Sequence, residues 1–257
     1  MRLMKRILSA AAVLALSASL LVGCSSTASS VPVSASSAAE STVSSVEETA
    51  SSAVDENEAA AAQLLNDLTG SYQELWPVIL ADEYKQTWLD DCTALVGEDN
   101  AEAAFEKLSS MVTGDVYGED AVKAYANGGG AYFCGFTNSL AILTFDGETS
   151  TISGTDKDGN VLFSHTYHYI GMEPVRGLYE FQSNDADSGE FTYFFLAPDT
   201  SAETYHIEFR YGSDAEALSQ YDTGEYAYWL ASGISTDCDQ TMIDNCIELF
   251  CTENLAG

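Results

Sequence analysis

Three histidines, six cysteines and 40 acidic side chains, against nine basic ones, are the groups in this chain that could do chemistry. His165 and His168 stand three apart in a run of strand character. Alternation sends them to opposite faces, so one ion cannot take both. His206 lies in Tyr205–Tyr211, where Tyr205, Ile207, Phe209 and Tyr211 alternate with His206, Glu208 and Arg210, the period of a strand with one buried face. His206 with His168 and Asp199 would make a mixed zinc site, because imidazole and carboxylate both ligate that ion. The other reading of each histidine is a surface or hydrogen-bonded residue on a strand. Asp156-Lys157-Asp158-Gly159-Asn160 begins like a calcium loop, but its glycine is misplaced and no glutamate follows at the required distance; a hairpin turn explains it. The glycines 128–130 lack the Lys-Ser/Thr of a phosphate loop. No Gly-x-Ser-x-Gly or His-Glu-x-x-His occurs, so the chain reads as a non-enzyme.

Beyond Cys24 the cysteines are Cys92, Cys134, Cys238, Cys246 and Cys251. The number is odd and there is no Cys-x-x-Cys, which argues against a redox motif or a zinc ribbon. One or two bridges with a leftover thiol, or five thiols buried as small apolar residues, both fit. Cys246 and Cys251, five apart, are poorly placed to pair along one helix. The pairing cannot be read from spacing.

The formal charge of −31 at pH 7 disfavours a nucleic-acid partner. It also repels anionic lipid, so any membrane attachment must have another source. The N-terminus supplies one. Arg2, Lys5 and Arg6 precede a short apolar run, Ile7 to Val22, which ends in Leu21-Val22-Gly23-Cys24. That ending resembles a bacterial lipobox. Residues 1–23 read as a lipoprotein signal peptide, with the Cys24 thiol as the acceptor of a diacylglycerol group. The mature protein is then expected to be anchored by lipid on the extracytoplasmic side of the cell membrane. Residues 24–55 are rich in Ser, Ala and Thr and read as a disordered tether.

Residues 56–257 are left to form the folded part. Helical spacing is expected over Glu56–Leu68, Ile79–Val96 and a stretch capped by Asn100, with a short helix at Ala121–Ala126. Past Gly130 the period changes. Strands are expected at Ala131–Phe136, Leu140–Phe145, Thr149–Gly154, Val161–Tyr169, Leu178–Gln182, Phe191–Leu196 and Tyr205–Tyr211, with turns at Asp146-Gly147 and Asp158-Gly159. Ser213 to Glu216 reads as a capping box opening a short helix. A last helix, begun by Thr236 or Asp237, carries Met242, Ile243, Cys246, Ile247, Leu249 and Phe250. The fold class is α+β: N-terminal helices, an antiparallel barrel or sandwich, and a closing C-terminal helix.

The order of pieces is itself informative. FTYFFLAPDTSAETYHIEFRYG at Phe191–Gly212, with LFSHTYHY at Leu162–Tyr169, GLYEF at Gly177–Phe181 and LTGSYQELWPVIL at Leu68–Leu80, resembles a ZinT-type domain, the calycin-fold domain of bacterial zinc-recruiting proteins. The resemblance covers most of the chain after the tether and implies a calycin/lipocalin-like barrel. It implies a zinc site of three histidines, two of them in a His-x-His. Here that position reads Thr204-Tyr205-His206, so only His206 carries over; the first histidine would fall near Ala197 to Asp199, where none exists. The function implied is divalent metal (zinc) binding and delivery to a metal-uptake transporter. The alternative is a binding or structural lipoprotein that kept the barrel and recognises a small ligand or an envelope partner.

Overall fold

The computed structural model describes residues 56–126 and 130–256. The signal segment, Cys24 and the tether lie outside the described residues. No helix among those described is long and apolar enough to cross a membrane.

Eight strands form a closed barrel in which each pairs antiparallel with the next. They are β1 (Gly70–Glu74), β2 (Ile142–Asp146), β3 (Thr151–Thr155), β4 (Val161–Met172), β5 (Tyr179–Ser183), β6 (Tyr193–Leu196), β7 (Ile207–Gly212) and β8 (Ala231–Ser235). The barrel closes where β1 meets β8, with Tyr72 opposite Ser235 and Glu74 opposite Gly233. Closure leaves no unpaired edge on which another strand could add. Side-chain carboxylates shape two of the hairpins. Asp146 accepts from the amides of Glu148 and Thr149, and Asp156 from those of Asp158 and Asn160. Gly159, at φ 82°, takes the left-handed position that completes the second turn.

A helix over residues 56–67, α1, precedes the barrel. Its Ala61, Leu64 and Leu65, followed by Leu68, are buried against the barrel core. Between β1 and β2 lie α2 (Leu75–Ile79), α3 (Lys85–Val96), α4 (Glu98–Val112) and α5 (Glu119–Ala124). The short α6 (Ser201–Thr204) and α7 (Ala215–Leu218) flank β7, and α8 (Gln240–Leu255) closes the chain. Two apolar clusters result. One fills the barrel with rings: Phe145, Phe181, Phe194, Phe209, Tyr211 and Trp229 are all essentially inaccessible. Phe194 and Phe209 stack with centroids 6.5 Å apart, and Tyr211 meets Trp229 edge to face at 5.0 Å. The other cluster joins α2, α3, α4 and α8 around Trp88, whose indole N–H donates to the Ile79 carbonyl at 2.7 Å.

The β6–β7 pair stands as expected, with Tyr193 opposite Gly212 and Phe195 opposite Arg210. Other expectations shift. Gly70–Glu74 and Ala231–Ser235, given no strand in the sequence, are the two that shut the barrel. Ala131–Phe136 makes only isolated bridges, Phe133 to Thr113 and to Trp229. The stretch Ile79–Val96 is broken: α2 ends at Ile79, a 3-10 turn covers Asp82–Tyr84, and α3 begins at Lys85. The N-caps also move. Gly97 rather than Asn100 precedes α4, Asp214 caps α7 and Asp239 caps α8.

Arg210 is the largest departure from the alternating pattern. It was expected to face out with His206 and Glu208, yet it is wholly buried. Its guanidinium donates to the carbonyls of Leu218, Gln220 and Tyr226 and lies over the Tyr221 ring, 4.4 Å from the centroid. Arg176 covers Tyr221 as well, also at 4.4 Å. One cation thus ties α7 and the segment after it to β7.

Candidate functional site

The histidine singled out in the sequence sits at a strand entry. α6 ends on Tyr205, held left-handed at φ 66°, so His206 leaves the turn just before β7 begins. Its Nδ1 donates to the Thr204 carbonyl at 2.7 Å. Nε2 faces Oε1 of Glu208 at 3.8 Å, and the Cys246 sulfur lies 3.9 Å from Nδ1. The side chain is 19% exposed. Burial alone would push the ring toward its neutral form. Hydrogen bonding and charge from Cys246 and Glu208 outweigh burial and raise its pKa to about 10. These neighbours favour the protonated ring.

The other two expected ligands make no hydrogen bond to it among the described residues, although Asp199 is near enough to feel its charge. Asp199 is exposed in the loop before α6. Partial burial, then the charges of Glu208 and Glu203, raise its carboxyl pKa, while His206 opposes them. His168 is on the outer face of β4, with Nδ1 2.8 Å from the Asn184 side-chain oxygen. His165 turns the other way, as alternation requires, and meets Asp185 at 2.8 Å. His206, His168 and Asp199 are not gathered into one ligand set. Among the described residues no group of three or more His, Cys, Asp or Glu is arranged to hold a metal ion.

Zinc finds no ready ligand set at His206: no group of three His, Cys, Asp or Glu is gathered among the described residues, Nδ1 is given to the Thr204 carbonyl, and a metal at Nε2 would have to displace the proton that Glu208 favours. Cys246 beside His206 pairs a nucleophile with a base on paper only. The thiol is 2% exposed, and the ring hydrogen nearest it is already given to Thr204. Neither group is set to act on an outside molecule.

Open space of another kind lies around Glu74 at the end of β1. Two clefts adjoin there and share Glu74 and Pro77. The larger, about 510 Å³, runs between the start of α2 and the β3–β4 hairpin, beside Asp156 and Lys157. The smaller, about 340 Å³, is walled by Trp76, Pro77, Leu80, Val112 and Phe133. Oε1 of Glu74 accepts from the Phe136 amide at 2.6 Å. No hydrogen bond reaches Oε2 from the described residues. A Cβ on Gly135 would stand 2.9 Å from both that Oε1 and the Phe133 ring, so glycine is what lets the carboxylate lie against this wall. The Trp76 indole N–H is buried and finds no hydrogen-bond partner among the described residues. These residues carry no motif: Glu74-Leu75-Trp76-Pro77 has no chemical signature in sequence, and only the fold makes Glu74 the floor of two clefts.

No protein-family model matches this chain, and no curated protein matches it significantly. Among solved structures it is similar to the Zn(II)-bound ZinT-like domain of Streptococcus pneumoniae AdcA, at 15% identity over 72% of this chain and 89% of that one, with a TM-score of 0.46. It is also similar to Zn(II)-bound AdcA from the same organism, at 14% identity and a TM-score of 0.42, covering 76% of this chain and 35% of that chain.

Proposed function

We propose that this chain is a binding protein of the cell envelope, lipid-anchored through Cys24 and held off the membrane by residues 24–55. Its ligand is a small organic ammonium ion with an apolar body, taken in the clefts at Glu74. The observation that carries this reading is the Glu74 carboxylate, with one oxygen fixed to the Phe136 amide and aromatic walls from Trp76 and Phe133 beside it. A carboxylate attracts the charged head, and an aromatic face adds about 0.5–2 kcal/mol for a partly desolvated cation. The formal charge of −31 raises the local concentration of cations over anions. No catalysis is proposed.

The experiment is calorimetric titration of the full chain with cyclohexylammonium, and with cyclohexanol as the uncharged match. Saturable binding of the ammonium alone, lost in Glu74→Gln, supports the reading. Equal behaviour of the two compounds, or binding unchanged in Glu74→Gln, overturns it.

Zinc recruitment for an uptake transporter is the second reading. The crowding of Asp199, Glu203 and Glu208 around His206 favours it, since such a cluster attracts divalent cations. It requires that His206 surrender its proton, and it is tested separately by zinc titration.

A further inference from the structure

Cys92 on α3 and Cys251 on α8 bring their sulfurs to 3.9 Å, and both residues are completely buried. The two thiols touch in the middle of the helical cluster, among Trp76, Trp88 and Phe250. The other sulfurs have different neighbours. Cys246 faces His206, and Cys134 lies 3.8 Å from the Tyr132 carbonyl. We propose that Cys92 and Cys251 form a disulfide when the chain folds in the presence of a disulfide-bearing oxidant. A bond of about 2.05 Å requires the sulfurs to close the remaining gap, which a change of side-chain rotamer and a small helix shift supply.

The exchange balances as follows. One cysteine thiolate attacks a sulfur of the oxidant's disulfide, forming a mixed disulfide and releasing one oxidant thiolate. The second cysteine thiolate then attacks the first cysteine's sulfur and expels the oxidant's other thiolate. The chain loses two electrons and two protons, and the oxidant's two sulfurs leave as thiols, two glutathione molecules when the oxidant is oxidised glutathione. Burial pushes both thiols of the folded protein upward and keeps them protonated. The bond therefore forms while α3 and α8 are still docking. A link between residues so distant in sequence limits the unfolded chain strongly, so its effect is on persistence of the fold.

The test uses the full chain refolded from denaturant with oxidised glutathione, then alkylated and digested without reductant. The expected result is a cross-linked peptide pair holding Cys92 and Cys251, lighter than the reduced pair by two hydrogens. The melting temperature is expected to fall on reduction of the wild type. In Cys92→Ala, Cys251 becomes alkylatable and the melting temperature no longer responds to reductant. Full alkylation of both cysteines after oxidative refolding overturns the proposal, as does Cys251 linked to any other cysteine. The refolding is done in solution, so its outcome does not depend on whether Cys24 carries lipid or the clefts bind a ligand.

Discussion

Nε2 of His206 stands 3.8 Å from Oε1 of Glu208, while Nδ1 of the same ring gives its hydrogen to the Thr204 carbonyl at 2.7 Å. Nδ1 is thereby engaged as a donor, and Nε2 lies within ion-pair range of the carboxylate. The one histidine that resemblance assigns to zinc is held at the junction of α6 and β7 by a backbone carbonyl on one nitrogen and a carboxylate near the other.

The ring should show this in its titration. Following the His206 ring signals by NMR across pH is expected to give a midpoint near 10, against an ordinary value of 6.5. Glu208→Gln should move it downward. A midpoint at the ordinary value in the wild type would refute the pairing.

Stability follows the same sign. The folded-state pKa lies above the unfolded one, so the contribution is complete below about 6.5 and disappears as pH rises through about 10. Glu208 is 44% exposed, which limits the pair to about 1 kcal/mol. Urea unfolding of wild type and Glu208→Gln is expected to differ by that amount near neutral pH and to converge in strong alkali. A gap that widens with pH would reverse the assignment.

Arg210 is expected to be far less tolerant. Its removal leaves the buried carbonyls of Leu218 and Tyr226, and the partly buried one of Gln220, without this donor. Arg210→Ala should cost about 3–5 kcal/mol in urea unfolding. Arg210→Lys should recover little, since an ammonium cannot match the planar fork that reaches three carbonyls and stacks on Tyr221. Full recovery by lysine would show that charge alone suffices.

Much of this fold was legible from period and turn chemistry. The aromatic run Phe191–Leu196 and the alternation in Tyr205–Tyr211 located β6 and β7, and Asp146-Gly147 and Asp158-Gly159 marked the β2–β3 and β3–β4 turns. The strands that close the barrel were not. Gly70–Glu74 and Ala231–Ser235 are five residues each, and their pairing depends on partners about 160 positions away in sequence. Arg210 misled because its acceptors are backbone carbonyls, which carry no sequence signature. The site was harder still. His206 could be found by resemblance, but its bond to Thr204 depends on the left-handed Tyr205, and Glu74 becomes a cleft floor only once the barrel and α2 are in place.

The Glu74 wall yields a local prediction. Gly135→Ala would press a methyl group 2.9 Å from Oε1 of Glu74 and from the Phe133 ring. It is expected to weaken cyclohexylammonium binding about tenfold, with a loss of about 1–3 kcal/mol in stability from the crowding. Unchanged affinity in a folded Gly135→Ala variant would move the ligand away from this wall.

The most direct measurement is calorimetric titration of the metal-free full chain with zinc. The expected result is no saturable heat tighter than the millimolar range, with the same weak response in His206→Ala. One-to-one binding in the micromolar range or tighter, abolished by His206→Ala, would contradict the reading of His206 as an imidazolium and restore the metal as the ligand.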